Sequence, residues 1–385
     1  MKIGYTNPGY PVKRAILGKV KEYEYIRSRS LASILSAIAI KLKFGRLASA
    51  LINLFIGGTN YRKIDLLHFF NVIQHPFCNK PFVTTFETAL PRFPVHKGWL
   101  WKLGWRSLLS KNCKALLALP DCSRRIQEQW TYDAVEEGIL SKEEAYEILS
   151  KIKVVHPPQE ALIEEEELLK KDISSPLKFI FIGRDFFHKG GKESLNAILK
   201  NRKEYPIELI LIGDFNRHDY LTCELCDVSW DVEKLINENQ DWITYYPSLE
   251  NTKVLELMKT VCHVGLLPTR ADTYGYSVLE MQACGLPVIT TDVRALPEIN
   301  NDECGWFIHV PKNACGEASY TTPEEIVALS QTIEAQLEVV VKAICDNSQQ
   351  IKEKALASLK RIKEMHSPEG YAAQLKRIYD EALQQ

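Results

Sequence analysis

Short apolar runs alternate with amphipathic runs through the C-terminal half of the chain, and the two patterns predict strands and helices in turn. The predicted strands are 177–182, 208–212, 242–246, 261–267 and 288–291, with helices at 192–199 and 252–259. The strands are short and mostly apolar along their length, which is typical of a parallel sheet covered by helices on both faces. Ligands of such sheets lie beyond the carboxyl ends of the strands.

The N-terminal half follows the same rhythm less regularly, with strands predicted at 65–70, 81–86, 114–119 and 152–155. Between the halves lie Pro157-Pro158 and an acidic run at 164–167, a combination that suits a linker. A chain of 385 residues is also too long for one ordinary core. We therefore predict an α/β protein with two domains, 1–156 and 157–365, and a C-terminal helix at about 366–385 that could pack back on the first.

Composition indicates an ordered globular protein, since 45% of the residues are hydrophobic and 25% are charged. The ten cysteines form no framework and the opening MKIGY reads as a first strand, so we expect reduced thiols and a cytoplasmic location. Residues 1–156 hold 24 Lys and Arg against 12 Asp and Glu, an excess of 12 positive charges. This excess predicts an anionic partner, and the lack of an RNA or DNA motif makes nucleic acid the weaker explanation.

Two segments of the first half combine apolar and basic residues. The segment 31–56 is interrupted by basic residues, whereas a membrane-spanning helix needs about 20 apolar residues in a row, so we reject a transmembrane interpretation. The segment 96–114 places three tryptophans among five Lys and Arg residues, and these tryptophans are Trp99, Trp101 and Trp105. For the segment 96–114 two interpretations stay open, contact with an anionic membrane surface and a core helix with a solvated basic edge. The segment 31–56 is a second candidate for contact with an anionic membrane surface.

The densest candidate chemistry lies between 268 and 299, in PTRADTYGYSVLEMQACGLPVITTDVRALPEI. A strand ends at Pro268, a polar loop follows, and Gly275 opens a helix that ends at Gly285. Asp272 and Glu280 stand on either side of the start of that helix, where backbone N–H groups can bind an anion. This arrangement suits a phosphorylated sugar nucleotide, because carboxylates accept hydrogen bonds from hydroxyl groups.

A second motif, GRDFFHKGG, follows the predicted strand 177–182. Its Gly183 ends the strand, and Arg184 and Lys189 supply two cations that can neutralise a diphosphate leaving group. Alone, a strand–Gly–Arg turn is more often an ordinary turn with solvated charges. Joined to the two acids of the first motif in one α/β domain, it predicts a nucleotide-sugar site.

Together these motifs resemble the retaining family-4 glycosyltransferases, whose signature is G-R-x4-K-G, an acid-x7-acid element around G-[FY]-G, and E-A-x-A-x-G-x-P-V-I. The matching text is GRDFFHKG and DTYGYSVLEMQACGLPVITTDVRALPEI, and a looser likeness runs through nearly the whole chain. The resemblance implies the GT-B fold, with two Rossmann-like, doubly wound parallel-sheet domains facing a central cleft. It also implies sugar transfer from a nucleoside-diphosphate sugar with retention at the anomeric carbon.

The resemblance assigns roles to individual residues. Arg184 and Lys189 would bind the donor diphosphate, and Glu280 would hold the ribose hydroxyls. Asp272 would contact the donor sugar near its anomeric carbon, and Gly275 would let the backbone approach the phosphates. The other expected donor-site residues are Gly183, Tyr274, Tyr276 and Ser277, with Tyr246 and Pro247 at the base. For Tyr274 a packing role is an equal alternative.

Two positions depart from the family pattern. Asp272 stands where Glu is usual, and Phe86-Glu87 stands where relatives often have His-Asp. Glu87 is therefore either a base for the acceptor hydroxyl or a plain surface acid. No D-x-D occurs, and Cys223-x2-Cys226 has no second pair at zinc spacing, so we predict no metal and no cofactor.

The expected acceptor is a lipid-linked or surface-polysaccharide glycan at the cytoplasmic membrane face, reached by a peripheral protein. Two alternatives stay open. One is a GT-B enzyme acting on a soluble sugar, such as a nucleotide-sugar epimerase or a phosphorylase, and the other is a non-catalytic sugar-nucleotide-binding relative. The sequence leaves the base, the donor sugar and the linkage open.

Overall fold

The computed structural model describes residues 1–44, 51–93, 98–215 and 230–384. It divides the chain into two compact units, Met1–Pro158 together with His366–Gln385, and Gln159–Met365. Each unit is built on its own six-stranded sheet, in which every neighbouring pair of strands is parallel. The chain is therefore an α/β protein with two parallel sheets, as the sequence predicts.

The first unit alternates strands and helices. Its strands are β1 (Lys2–Tyr5), β2 (Glu24–Arg27), β3 (Leu54–Phe55), β4 (Leu66–Phe70), β5 (Ile73–Gln74), β6 (Phe82–Phe86), β7 (Cys113–Ala118) and β8 (Ile152–Val154). Its described helices before the crossover are α1 (Tyr10–Ala15), α2 (Leu31–Lys41), α3 (Trp99–Leu109), α4 (Asp121–Glu136) and α5 (Lys142–Ser150), with a 3-10 turn at Tyr61–Lys63. The sheet order is β2-β1-β4-β6-β7-β8, and β3 and β5 form a separate parallel pair.

The core of the first unit lies around its central strands. β4 and β6 are buried at every position, as expected inside a parallel sheet. Phe69, Phe82 and Phe86 from these strands belong to the same apolar cluster as Trp101 and Trp105 of α3. The tryptophan-rich segment is therefore part of what holds this unit together.

Helix α3 contains the three tryptophans of that segment, and their burial bears on the two interpretations. The rings of Trp101 and Trp105 are buried and meet edge to face at 5.5 Å, whereas Trp99 is 71% exposed. Lys102 and Arg106 lie on the exposed side of the helix. A role of Trp101 and Trp105 in membrane contact is therefore wrong, because both indoles are packed in the core. Membrane contact through the exposed side of the segment stays a prediction. The first two residues of the segment lie outside the described residues.

The second unit has the more regular alternation. Its strands are β9 (Leu177–Ile182), β10 (Ile207–Ile212), β11 (Ile243–Tyr246), β12 (Val264–Leu267), β13 (Val288–Thr291) and β14 (Gly305–Ile308). Its described helices are α6 (Glu165–Lys170), α7 (Gly191–Asn201), α8 (Val232–Asn237), α9 (Asn251–Thr260), α10 (Tyr276–Ala283), α11 (Leu296–Ile299), α12 (Pro323–Asp346) and α13 (Gln349–Met365).

The sheet of the second unit has the order β11-β10-β9-β12-β13-β14. The chain first moves outward from β9 through β10 and β11, and then returns to the other side of β9 to form β12. At such a reversal the loops after the two central strands leave in opposite directions and open a crevice at the carboxyl ends. The loops after β9 and β12 are therefore where this fold places a ligand.

The last helix, α14 (Pro368–Gln384), returns to the first unit. The hydroxyl of Tyr379 lies 2.6 Å from Nδ1 of His68 on β4, and Nε2 of His68 lies 2.8 Å from Oγ1 of Thr85 on β6. All three side chains are fully buried. Across the described parts of the chain, every helix is too short or too polar to cross a membrane.

Candidate functional site

Two loops meet at the carboxyl ends of β9 and β12, where the strand order reverses. Their close approach depends on Gly190, because a Cβ there would lie 2.1 Å from the carbonyl oxygen of Pro268. Gly190 also has φ of +82°, a left-handed conformation that glycine adopts at no steric cost. The backbone N–H of Arg270 donates to the carbonyl of His188 at 3.0 Å and fixes the contact. The fold thus brings the two predicted motifs side by side.

Lys189 and Asp272 form the central ion pair of this site. Lys189 Nζ lies 2.8 Å from Asp272 Oδ2 and donates a further hydrogen bond to the carbonyl of Ala271 at 3.2 Å. The two side chains are only 19% and 15% exposed, so solvent screens the pair weakly. An ammonium group carries three donors, and the third can reach a phosphate oxygen.

The second oxygen of Asp272 holds the start of α10. Oδ1 accepts the backbone N–H of Tyr274 at 3.1 Å and that of Gly275 at 2.8 Å. Burial by itself raises the pKa of the Asp272 carboxyl, but Lys189 and the two N–H groups outweigh burial and lower that pKa below its ordinary value. Asp272 is therefore a carboxylate at neutral pH, bound to a lysine that sequence reasoning did not pair with it.

Gly275 is the residue on which α10 begins, with φ of +91°. A Cβ at this position would lie 2.7 Å from Leu296 and 2.9 Å from Ile299 of α11. Glycine is thus required by the backbone and by helix packing, and its expected role beside phosphate stays a prediction. The N–H of Val278 closes back on the carbonyl of Gly275 at 2.9 Å, while for the N–H of Ser277 the described residues provide no acceptor.

Arg184 follows Gly183 directly after β9, and it is exposed. The N–H of Gly183 donates to the carbonyl of Ile212 at 2.9 Å, so the sheet register continues to the residue before Arg184. Within the described residues the guanidinium of Arg184 makes no hydrogen bond or ion pair. Arg184 and Lys189 therefore occupy one loop, one cation open to solvent and the other held by Asp272.

One face of α10 carries three of the predicted donor-site residues. Glu280 lies four positions after Tyr276 and three after Ser277, which places it next to both, and all three are partly exposed. Tyr274 is instead completely buried, with its ring centroid 5.1 Å from that of Tyr276. The packing alternative is therefore the correct one for the Tyr274 side chain.

The predicted base-binding residues lie at the carboxyl end of β11. The carbonyl of Tyr246 accepts the N–H of Gly213, and Pro247 beyond it is exposed. Nearby, the ring of Phe215 stacks on Tyr245 with centroids 4.7 Å apart. Sequence reasoning missed this stacked pair. Aromatic residues at the carboxyl ends of two adjacent strands are the signal that could have found it.

Glu87 belongs to the first unit, where it follows the central strand β6. It is only 9% exposed, so the surface-acid alternative is wrong. Its backbone N–H donates to Oδ1 of Asn71 at 3.2 Å, and its carbonyl accepts the hydroxyl of Ser123 at 2.5 Å. Glu87 is thus a buried acid held at the carboxyl end of a strand.

A polar cavity of about 380 Å³ adjoins the loop after β12. Ala271, whose carbonyl Lys189 contacts, forms part of its wall together with Arg294, Asn313 and Ser319. Arg294 is 8% exposed, and its Nε lies 3.7 Å from Glu317, another wall residue. The cavity thus offers donors and acceptors in a mixture that suits sugar hydroxyls.

The described residues contain neither a metal-binding cluster nor a disulfide bond. In these ranges no group of three or more His, Cys, Asp or Glu side chains is arranged to hold a metal ion. Cys223 and Cys226 lie outside the described residues, and metal independence stays a prediction. The eight cysteines that the structure describes are free thiols.

Sequence comparison supports a glycosyltransferase family. Residues 164–315 match the family described as glycosyl transferases group 1, and this range includes every candidate residue of the second unit. Over 265 residues the chain is 23% identical to an uncharacterized glycosyltransferase of Methanocaldococcus jannaschii, covering 64% of this chain and 61% of that protein. Over 135 residues it is 33% identical to an uncharacterized 41.2 kDa protein in the cps region of Klebsiella pneumoniae, covering 29% and 36%. The chain spans less than two thirds of either relative.

Solved structures show the same fold along the whole chain. The glycosyltransferase from Rickettsia africae superimposes with a TM-score of 0.60 at 15% identity, covering 99% of this chain and 98% of that one. Anabaena HepE in complex with UDP gives a TM-score of 0.61 at 12% identity, covering 99% and 100%. The same protein in complex with UDP-glucose gives 0.57 at 13% identity, covering 99% of each chain. These likenesses confirm the predicted GT-B class, an α/β fold with parallel sheets in two domains.

Proposed function

We propose that this protein is a retaining glycosyltransferase that moves a sugar from a nucleoside-diphosphate sugar to an acceptor hydroxyl. The observation that carries the proposal is the Lys189–Asp272 pair, with the exposed Arg184 on the same loop, where the strand order reverses. The group 1 match over residues 164–315 includes these three residues. Because Anabaena HepE has been solved with UDP and with UDP-glucose, UDP-glucose is the first donor to test.

In this proposal the donor is held by charge and by backbone donors. Arg184 and the third donor of Lys189 bind the diphosphate, with the N–H of Ser277 as a further donor at the start of α10. Glu280 accepts the ribose hydroxyls, and the segment at Tyr246 and Pro247 contacts the base. The polar cavity beyond Ala271 receives substituents of the sugar.

Asp272 tunes this site by its charge. Two cations and one carboxylate leave a net charge of +1 among Arg184, Lys189 and Asp272, so a diphosphate alone is bound less strongly than it would be by two unpaired cations. A donor whose sugar hydroxyls hydrogen-bond Asp272 recovers that loss. Asp272 therefore favours the intact sugar nucleotide over the nucleoside diphosphate product.

The proposed reaction breaks the bond between the anomeric carbon and the diphosphate oxygen, and forms a bond to the acceptor oxygen on the same face. The acceptor proton leaves to the departing diphosphate. Arg184 and Lys189 stabilise the negative charge that develops on the leaving group, and they do this without a metal. Asp272 stabilises the positive charge that develops on the sugar.

We further propose that the acceptor is a lipid-linked or surface-polysaccharide glycan at the cytoplasmic face of a membrane. The positive charge of the first half supports a membrane-bound acceptor, since residues 1–156 carry an excess of 12 positive charges that an anionic membrane surface would attract. An epimerase or phosphorylase acting on a soluble sugar has no use for such a surface.

A thermal-shift titration with UDP, GDP and ADP and their glucose derivatives tests the donor site. Binding to the folded state raises the unfolding midpoint by mass action, so one base should give a clear shift. Arg184→Ala should abolish that shift and leave the midpoint without ligand unchanged, because the side chain is exposed and has no partner among the described residues.

The matched control is Lys253→Ala, which removes an exposed cation from α9 in the same unit. It should keep the full shift. An undiminished shift in Arg184→Ala would overturn the assigned diphosphate site. A protein that binds a sugar nucleotide but never releases the nucleoside diphosphate, with any glycan acceptor, would be a non-catalytic relative instead.

A further inference from the structure

We propose that an exposed apolar face of α2 docks the first unit on an anionic lipid bilayer. The α2 face consists of Leu31, Ile34, Leu35 and Ile38, each between 49% and 55% exposed. This inference deepens the membrane location given under the proposed function, and it requires no donor chemistry because it concerns a surface of the first unit.

The α2 face is an apolar stripe that faces solvent. Its residues are spaced three, one and three positions apart, which aligns them along one side of a helix. The opposite side carries the small residues Ala32, Ser36 and Ala39, and these are buried. A helix of a globular protein normally buries its large apolar side chains and exposes its small or polar ones. In α2 the large apolar side chains are exposed and the small ones are buried, which indicates that the stripe is a surface for binding a partner.

Hydrogen bonds at the start of α2 hold the helix in the orientation that exposes its large apolar side chains. Ser30 caps the helix by accepting the N–H of Ala32 at 3.2 Å, and its hydroxyl also accepts the N–H of Ile56 at 3.0 Å. The N–H of Leu31 donates to the carbonyl of Ile56 at 3.3 Å. These bonds fix the start of the helix, so α2 holds its large side chains outward without being loose.

Exposed apolar side chains continue through the last turn of the helix and into the residues that follow it. Ile40, Leu42 and Phe44 are between 59% and 61% exposed. Lys41 and Lys43 alternate with them and are exposed as well. Apolar side chains that can enter the acyl boundary, flanked by lysines that can reach headgroups, are the pattern of a helix lying in a membrane interface.

Charge selects the occupant of this face. The forty residues from 25 to 64 contain seven Lys and Arg and no Asp or Glu. Two copies of this chain meeting through the α2 face would bring like charges together, whereas an anionic bilayer supplies the opposite charge. The observations therefore favour a lipid surface over a second copy of the chain.

The test is sedimentation of the full-length protein with vesicles of phosphatidylcholine and phosphatidylglycerol, compared with vesicles of phosphatidylcholine alone. The wild type should bind the anionic vesicles at low salt and bind less at high salt. The double variant Ile34→Ser with Ile38→Ser should bind about tenfold more weakly, because it removes apolar area from the interface. Lys41→Glu with Lys43→Glu should lose the preference for anionic lipid.

The matched control is Val327→Ser with Val339→Ser, which removes two apolar side chains from α12 in the second unit that are even more exposed than Ile34 and Ile38. It should bind vesicles as the wild type does. No sedimentation of the wild type with anionic vesicles at low salt overturns the proposal, as does unchanged binding of the Ile34–Ile38 variant. A dimer in analytical ultracentrifugation that this variant abolishes would assign the face to a second copy, and would also overturn it.

The outcome is separable from that of the proposed function. The nucleotide thermal shift is measured on the same variants without lipid, and an intact shift shows that they are folded. Vesicle binding without any nucleotide-induced thermal shift would support the docking face and overturn the proposed transferase function. A nucleotide-induced thermal shift without vesicle binding would support the donor site and overturn the docking face.

Discussion

One carboxylate joins two loops of the second unit, since Asp272 Oδ2 lies 2.8 Å from Lys189 Nζ while its Oδ1 lies 2.8 Å from the N–H of Gly275. The lysine follows β9 and the glycine opens α10, so Asp272 links the loop after β9 to the start of α10. Its two oxygens do different work, one neutralising a cation and the other ordering the backbone.

Replacing Asp272 by Asn separates these two contributions. The amide oxygen can still accept the N–H of Gly275, but Lys189 keeps only the Ala271 carbonyl and loses its charged partner, so we expect the free energy of unfolding to fall by about 1–3 kcal/mol. Binding of the nucleoside diphosphate should be kept or strengthened, because Lys189 is no longer neutralised, while sugar transfer falls. Chemical denaturation, UDP titration and a transfer assay measure the three effects. A variant that loses nucleotide binding, as Lys189→Ala should, would contradict the assigned division of roles.

Gly190→Ala should be strongly destabilising. The left-handed φ of +82° penalises a Cβ, and that Cβ would lie 2.1 Å from the Pro268 carbonyl, so the cost should reach about 2–4 kcal/mol. Gly138→Ala is the matched control, with φ of +68° and nothing within 4 Å of its Cβ, and backbone strain alone should cost about 1 kcal/mol. Denaturant midpoints compare the two. Equal costs would show that the close approach of the loops is unimportant.

The stability of the first unit should fall in acid because of His68. Burial lowers the pKa of His68 to about 3, against about 6.5 in an unfolded chain. Between those values the unfolded state binds the proton and the folded state does not, so stability is full above pH 6.5 and falls by up to about 1.4 kcal/mol per pH unit below it. His68→Asn should flatten this slope in denaturation measured from pH 7 to pH 4. Tyr379→Phe removes the 2.6 Å hydrogen bond without removing the titrating group, and should lower stability at every pH with the slope unchanged.

The tryptophans of α3 should differ sharply. Trp105 is 1% exposed and Trp99 is 71% exposed. Trp105→Ala should cost about 3–5 kcal/mol by leaving a core cavity, whereas Trp99→Ala should change stability by less than about 0.5 kcal/mol. Thermal unfolding of the two variants checks this contrast. A stable Trp105→Ala protein would mean that the α3 helix is not packed in the core.

Buried strands were the elements that sequence predicted best. The predicted bounds of β9 and β13 agree with the structure, because most positions of these strands are buried and a proline or glycine lies next to one end of each apolar run. β2 and β14 lie at sheet edges with partly exposed residues, and their patterns are too mixed to stand out.

Residue types at the site were predictable, and their mutual contacts were not. Lys189 and Asp272 lie 83 positions apart, and the pairing of β9 with β12 and the approach of Gly190 to Pro268 bring them together. The tryptophans illustrate a different failure. Trp101 and Trp105 form one side of α3 while Lys102 and Arg106 form another, so counting residues without separating helix faces mixed core and surface.

The position of helix α14 at the end of the chain affects the order in which the two units can complete their folds during synthesis. The first unit is translated first, but the helix that places Tyr379 against His68 is translated only after residues 159–365. On the ribosome the second unit can therefore complete its core while the first still lacks its last element. The half of the protein that is made first is the half that is finished last.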